Sequence, residues 1–397
     1  MGPRDGVGRG GDKVSHRAVV VGGGIAGLAA SIALLRTGWH VTILERAARF
    51  EEVGAGFAMT PNAVAAFRGL GFSADEVEEL GHRTRAGGTY DTLGRPILRI
   101  PDTPELREAT ALVGVHRQRL HSLMLRRARD LGAELHSVSA LATLEVGEAG
   151  GPSAVANGLE ADLVVGADGM NSAVRSLVFP GAALRYSGYS SWRAIVPRGE
   201  ESELIQYWGP HAEFGVLPVS DSETYWYGYV AMPEGMPLRY ELGSAARFFD
   251  SWGEPVRQTI ARTAPDALLR HDVYYLPRSL PRLTAGRVAL IGDAAHGFLP
   301  TMGQGAATAL EDGLCVGLLI GEPVGRGADL ADSLGSFHQA RAPRVRALAQ
   351  ASLASGRIGA HLGPGYRQKV RNWMMSKVPP SLLLRASRAA MSWVPPV

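Results

Sequence analysis

The residues best suited to chemistry begin at Gly22, Gly24 and Gly27, a G-x-G-x-x-G turn between the apolar run Val19-Val20-Val21 and a helical pattern of Leu28, Ile32 and Leu35. Strand, glycine turn and helix in that order open a βαβ unit whose first turn holds a dinucleotide pyrophosphate. Gly22 makes the tight turn, Gly24 lets backbone N–H groups reach the phosphates at the helix start, and Gly27 lets the helix lie close on the strand. Ala26 belongs to the same turn. About twenty residues on, where such units place an acid on a ribose hydroxyl, the run Trp39 to Leu44 ends in Glu45. A carboxylate there repels a 2′-phosphate, which suits FAD or NAD rather than NADP.

Two later stretches repeat the theme of a buried strand running into an acid and a glycine turn. Leu159 to Val165 leads to Gly166-Ala167-Asp168-Gly169, with Ser172, Val174 and Arg175 following on a helix. Arg287 to Ile291 leads to Gly292-Asp293-Ala294-Ala295-His296, and the loop Pro300-Thr301-Met302-Gly303-Gln304-Gly305 then opens a long helix through Ala306, Leu310 and Leu314. The positive end of that helix favours a group that acquires negative charge. For His296, a loop-structuring role outweighs that of a base.

The elements that must position these residues are legible in part. Residues 54–62 form a glycine-rich loop, with Val53 before it, entering a helix from Asn62 to Gly69; residues 85–101 read as a hairpin around Asp91 to Gly94; Val113 to Asp130 reads as a helix. From Arg185 to about Tyr275 the chain changes to strands rich in tyrosine and tryptophan, which indicates a second, antiparallel domain. The predicted fold is α/β: a Rossmann-like domain built from residues 17–84, 111–180 and 281–340, an inserted sheet domain from 85–110 and 181–280, and C-terminal helices over 341–397. Residues 1–16, glycine-rich and charged without an apolar core, read as a disordered leader.

Composition excludes several classes of function. A net charge of +3 spread along 397 residues does not suggest nucleic acid. Cys315 is the only cysteine, so disulfide frameworks and thiolate metal sites are ruled out and a reducing, cytoplasmic setting fits. No metal-ligand spacing occurs, and no apolar run reaches the roughly 18 residues of a membrane span. The tail from Trp373 to Trp393, with Arg367, Lys369, Arg371, Lys377, Arg385 and Arg388, is amphipathic enough for peripheral membrane contact, but packing against the protein is the reading carried forward.

Taken together, Gly22 to Gly27 with Glu45-Arg46, Gly166 to Arg175, and Gly292 to Gly305 resemble the group A FAD-dependent monooxygenases of the p-hydroxybenzoate hydroxylase fold, over most of residues 17–345. The urate hydroxylase, salicylate hydroxylase and zeaxanthin epoxidase branches are the nearest in pattern. The resemblance implies that Glu45 and Arg46 hold the adenosine ribose, Leu141 lies by the adenine, and Arg117 reaches the cofactor. It implies further that Asp168 lies near the pyrophosphate, that Asp293 binds the ribityl chain, and that Pro300, Gly303, Gln304, Gly305 and Ala306 edge the flavin pyrimidine. The implied chemistry is reduction of non-covalent FAD by NADH or NADPH, addition of O₂ to give a C4a-hydroperoxide, and oxygen transfer to a small molecule.

Candidate substrate-pocket residues are Arg193, Tyr207, Phe214, Leu217, Tyr225 and Thr301, and Tyr225 and His211 are the candidates for proton transfer. Glu213 stands where the urate branch carries a substrate-binding arginine, which argues against urate, whereas Tyr225 matches that branch's pocket tyrosine. Hydroxylation of an aromatic or heteroaromatic ring is the leading reading. The alternatives are epoxidation of an alkene or terpenoid in natural-product tailoring and a redox-silent FAD-binding protein. A base within hydrogen-bond reach of a phenol would favour hydroxylation; a mostly apolar pocket without such a base would favour epoxidation.

Overall fold

Val19, Val20 and Val21 are buried because their strand, Arg17–Val21, lies in the middle of a sheet covered on both faces. The computed structural model describes residues 16–51 and 54–396. The expected leader, apart from His16, and Val53 of the glycine-rich loop lie outside the described residues. Among these, a six-stranded sheet runs in the order Thr284–Ala285, Val288–Leu290, Leu163–Gly166, Arg17–Val21, His40–Leu44, Glu134–His136, parallel except for its first pair. Helix Ile25–Arg36 leaves Arg17–Val21 at the point where neighbouring strands depart in opposite directions, the position at which open α/β sheets bind ligands.

A nine-stranded sheet carries the second layer. It centres on Arg185–Pro197, Glu223–Ala231, Ala212–Pro218 and Leu204–Gly209, and is antiparallel apart from the pairing of Leu204–Gly209 with Gly81–Asp91. Its outer face packs Trp192, Phe214, Trp226 and Tyr207 against Phe249, Trp252 and Val256, beside helices Glu241–Phe248 and Glu254–Ala261. Two smaller clusters lie on its inner face, Ala55 and Leu112 with Leu217 and Tyr225, and Leu299 and Ala360 with Tyr189 and Tyr229.

Three boundaries differ from the sequence expectation. Residues 111–116 form a strand and the helix starts only at Arg117, because Leu112, Val113 and Val115 are buried where Ala111–His116 pairs with Gly56–Met59 and Gly81–Asp91. Segments assigned to the nucleotide layer therefore hydrogen-bond into the second sheet. A division at 340/341 falls inside one helix, Leu330–Ile358, in which Pro343 is accommodated. In the tail, Arg371 lies over the Trp208 ring at 5.1 Å and donates to Ile358 O, and Arg341 lies 5.7 Å from the Trp393 ring. Tyr366, Trp373 and Met374 of helix Tyr366–Met375 remain exposed.

The closest helix contact explains several glycines. Gly313, Gly317 and Gly321 recur every fourth residue along helix Gly305–Val316 and the π-helical turn Gly317–Gly321 that continues it, and they face Ala29, Ala33 and Thr37 of helix Ile25–Arg36. A Cβ on Gly313 would stand 2.3 Å from the Ala29 Cβ and 2.6 Å from the Ala30 backbone nitrogen. Gly313→Ala must push the helices apart, at about 1–3 kcal/mol for an overpacked core, and is expected to lower the thermal midpoint by several degrees. Gly335, with open space beside it in helix Leu330–Ile358, is the control: Gly335→Ala should leave the midpoint unchanged or raise it. Scanning calorimetry of both variants checks this, and an unchanged midpoint for Gly313→Ala would refute the seam.

Candidate active site

The glycine turn is held by backbone contacts. Gly22 has φ +105° and its N–H donates to Leu44 O at 2.8 Å. A Cβ there would lie 2.4 Å from Ala167 O and 2.9 Å from the Asp168 Cα, so the first and second motifs are pressed together at this glycine. A Cβ on Gly27 would fall 1.9 Å from Gly22 O, which excludes any larger residue. Glu45 accepts from the N–H groups of Gly23 at 2.8 Å and Ala47 at 2.9 Å. His121, buried and unforeseen from sequence, places Nε2 2.8 Å from Gly23 O. Gly23 is thus fixed on both sides, while helix Ile25–Arg36 has no side-chain cap at Gly24.

From this turn a track runs to the third motif. A Cβ on Gly292 would sit 2.8 Å from the Ala26 Cβ, so Asp293, exposed at the start of helix Gly292–His296, follows directly. Beyond it lie the turn Pro300–Met302, Gly303 at φ +62°, and helix Gly305–Val316. Gly303 and Gly305 have only open space where a Cβ would stand, and Ala306 is half-buried. At the other end, the segment bearing Leu141 runs beside Glu45: Ser139 N donates to Glu45 O and Val138 N to Ala47 O. Arg46 is exposed next to it. Arg117 begins its helix, with its backbone N–H on Ala55 O and its side chain filling the space beside Gly54. This run of glycine-lined backbone between two helix N-termini has the form that an elongated dinucleotide requires, and the residues present fit FAD.

Several predicted residues have side-chain partners within the protein. The Asp168 carboxylate accepts from Ser172 Oγ at 2.5 Å and from the N–H groups of Ala173 and Val174, so it organises the start of helix Ala173–Val178. The buried Gln304 side chain bonds Thr60 and Asn62, leaving its backbone in the loop. The Thr301 hydroxyl donates to Ser352 O at 2.6 Å rather than lining a pocket. Tyr207 and Phe214 lie in the outer core, because strand alternation sends even-numbered Phe214 and its cross-strand partner Tyr207 away from the inner face. His211 sits at a hairpin tip with φ +52°, where its N–H binds Leu362 O and its Nδ1 lies 3.4 Å from Tyr189 Oη. There it joins the hairpin tip to the C-terminal segment.

What the inner face presents is a row across three cross-strand pairings: Arg193 opposite Tyr227, Tyr227 opposite Gly215, Gly215 opposite Gln206. Arg193 Nε donates to Ser191 Oγ, and among the described residues no carboxylate pairs with Arg193. Gly215 has no side chain because the Tyr227 ring covers it, within 2.2 Å of where a Cβ would be. Tyr227 Oη donates to Glu213 Oε1, and Gln206 Nε2 donates to both at 2.9 Å. Glu213 is 4% exposed with no cation paired to it among the described residues. Burial raises its pKa and the bonds from Tyr227 and Gln206 only partly offset this, leaving it at about 7. Leu217 and Tyr225 share this face; burial raises the Tyr225 phenol pKa against the opposing pull of Arg193 and Arg117.

Behind the loop from Pro300 to Gly305 lies a charge network that the sequence hinted at only through adjacent acids in an apolar helix. Glu311 takes Arg344 in a two-point contact at 2.5 and 2.6 Å and Asn62 Nδ2 at 2.7 Å; Asn62 Nδ2 also reaches Gln304. Asp312 accepts from Gly292 N at 2.9 Å, His296 Nε2 at 2.6 Å and Arg341 Nε at 2.7 Å. Arg341 Nη1 also lies 2.8 Å from Glu311 Oε2, near but not aligned as a hydrogen bond. His296 therefore structures the loop, as expected.

The chain matches the family model described as FAD binding domain over residues 15–352, and it belongs to that family, that of the group A flavin-dependent monooxygenases. It is 33% identical over 366 residues to aurachin C monooxygenase/isomerase of Stigmatella aurantiaca, covering 87% of this chain and 90% of that one. It is 34% identical over 354 residues to 3-amino-4-hydroxybenzoate 2-monooxygenase of Streptomyces cremeus, covering 83% and 84%. Klebsiella pneumoniae HpxO, solved with FAD and uric acid, superposes with a TM-score of 0.83 at 25% identity over 96% of this chain and 97% of that one.

The charge network yields a pH prediction. Burial alone would raise the Asp312 pKa, but Arg341 and His296 outweigh it and hold the carboxyl at about 2, against an ordinary 3.8. The unfolded chain binds this proton at a higher pH than the folded one does, so the stabilisation is complete above about pH 4 and is lost as pH falls toward 2. Denaturant unfolding of the FAD-loaded protein from pH 6 to pH 2 should show this acid loss, and Asp312→Asn should be less stable at pH 6 with a shallower decline. Parallel curves for the two proteins would contradict the assignment.

Proposed function

We propose that this protein uses NADH or NADPH and O₂ to hydroxylate an aromatic or heteroaromatic small molecule bound against the Arg193–Tyr227–Gln206 row. The observation that carries the reading is a polar row with a buried acid on the sheet face turned toward the nucleotide layer, whereas an alkene epoxidase calls for an apolar wall there. Gly22, Gly24, Gly27 and Glu45 would hold the adenosine diphosphate half of FAD, Asp293 the ribityl chain, and the backbone from Gly303 to Gly305 the ring. FAD supplies the redox chemistry: it takes hydride from the nicotinamide and activates O₂. The protein positions the ring. Arg193 offers a guanidinium to an acceptor on the substrate, such as a carbonyl or carboxylate, and Leu217 and Tyr225 close the apolar side and exclude water. The N–H groups at the start of helix Gly305–Val316 stabilise negative charge on whatever lies before them. A cytoplasmic setting fits the free, buried Cys315.

The test is consumption of NADH or NADPH by the FAD-loaded protein against a library of hydroxylated and aminated ring compounds, with mass analysis of products made under ¹⁸O₂. One compound or more should stimulate consumption and gain one labelled oxygen. If no ring compound does so, the reading fails. Arg193→Met should raise the KM of the active compound about tenfold or more, the loss of one charge-assisted hydrogen bond, with FAD content unchanged.

A further inference from the structure

One helix of the C-terminal tail is turned against its own pattern. In Tyr366–Met375, the side of Gln368, Arg371, Asn372 and Met375 lies against the protein, while Tyr366, Val370, Trp373 and Met374, spaced as one stripe of a helix, face away. The inward polar groups are satisfied. Gln368 Nε2 donates to Leu362 O at 3.3 Å, Arg371 Nη1 to Ile358 O at 2.6 Å and Arg371 Nε to Asn372 Oδ1 at 2.6 Å, with the guanidinium over the Trp208 ring. The outward stripe is 73% exposed at Tyr366, 47% at Val370, 65% at Trp373 and 59% at Met374. A helix that only packs on its own chain turns its apolar stripe inward. Single exposed apolar side chains are ordinary, but four on one stripe mark a surface that something else covers.

The charge around the stripe indicates what covers it. Arg367 and Lys369 flank it on opposite sides, and Lys377 follows in the turn that ends the helix. Residues 363–397 hold six cations, Arg367, Lys369, Arg371, Lys377, Arg385 and Arg388, and neither an aspartate nor a glutamate. Arg371 is buried, and Arg388 stands near Glu105 of helix Pro104–Ala109, on which helix Pro380–Met391 packs. Arg367, Lys369, Lys377 and Arg385 are exposed, and among the described residues no carboxylate pairs with them. Leu382, in the helix that follows the stripe, is exposed as well.

We propose that this face docks on the anionic surface of a lipid bilayer, with helix Tyr366–Met375 lying in the plane of the headgroups. Tyr366, Val370, Trp373 and Met374 enter the boundary of the acyl chains, and the stems of Arg367 and Lys369 carry their charges out to lipid phosphates. Tryptophan and tyrosine suit that boundary because each has an apolar ring and a polar edge. The helix lies on the membrane and does not span it: no helix among the described residues is long and apolar enough to cross. A second copy of this chain fits the face less well, because a two-fold contact through one patch sets cation against cation with no acid to answer it. Four apolar side chains on one short helix give weak, reversible attachment that salt releases. This role stands whether or not the ring-hydroxylating reading holds.

The experiment floats the FAD-loaded protein on a density gradient with vesicles of phosphatidylcholine, alone or with about one-third phosphatidylglycerol. Partitioning onto the anionic vesicles at low salt should exceed that onto phosphatidylcholine by about tenfold or more, and should fall by about as much between roughly 0.05 and 0.5 M NaCl. Val370→Ser with Trp373→Ser, and separately Arg367→Gln with Lys369→Gln, should each lower partitioning about tenfold. FAD content and thermal midpoint should not change, since all four side chains are exposed. Tyr240→Ser, which removes an exposed aromatic beside helix Glu241–Phe248, should leave partitioning as it is. Equal recovery on both vesicle types overturns the proposal, as does wild-type partitioning by the double serine variant. Light scattering that finds a wild-type dimer, turned into a monomer by the same variant, also overturns it and assigns the stripe to a second copy. If the serine variant does not fold, the glutamine variant and the salt dependence decide.

Discussion

The structure depends on how closely helix Ile25–Arg36 and helix Gly305–Val316 approach. The first starts at the Gly22 to Gly24 turn and the second at the loop from Pro300 to Gln304, so their separation sets the distance between those two loops. Gly313, Gly317 and Gly321 against Ala29, Ala33 and Thr37 leave almost no side chain between the backbones. Such a contact gains dispersion over its whole length and has no soft side chain to absorb an error. Trp39 Nε1 donating to Gly321 O at 2.9 Å fixes its far end.

A contact made of small residues sets distance but not orientation, and the buried charges supply the rest. Glu311 and Asp312 leave the same helix within one turn of the seam, and Arg341 and Arg344 come from a helix about thirty positions later. Paired this way, the acids and arginines constrain the Gly292 N–H, His296 and, through Asn62, Gln304. The loop from Pro300 to Gly305 is therefore held from behind by buried side chains. Such pairs do little for net stability but are costly to break singly, which suits a loop that must keep one shape.

The second sheet divides its labour between faces. Its outer face is a packed aromatic core and its inner face carries the polar row, and the alternation of strand residues separates the two at every position. Glu213 and Phe214 are neighbours in sequence, yet one belongs to the polar row and the other to the core. Aromatic content alone cannot make that distinction; Tyr207 and Phe214 were expected to line the pocket for this reason, while Tyr227 and Gln206 were not singled out.

By itself, the sequence determined the class of cofactor and the loops that meet along its track. Gly22, Gly24, Gly27, Glu45, Asp293 and Gly303 to Gly305 are legible because each meets a local backbone demand, such as a positive φ, a close approach or a helix start, and local demands leave fixed spacings. The tertiary structure alone decided which partners the acids and amides take. Asp168 turned inward to cap a helix, Gln304 and Thr301 were taken by residues far along the chain, and Glu213, read first only as a missing arginine, became a buried carboxyl held by Tyr227 and Gln206. A proton affinity of that kind comes from burial and from partners on neighbouring strands, and neither is written in the spacing of residues along one strand.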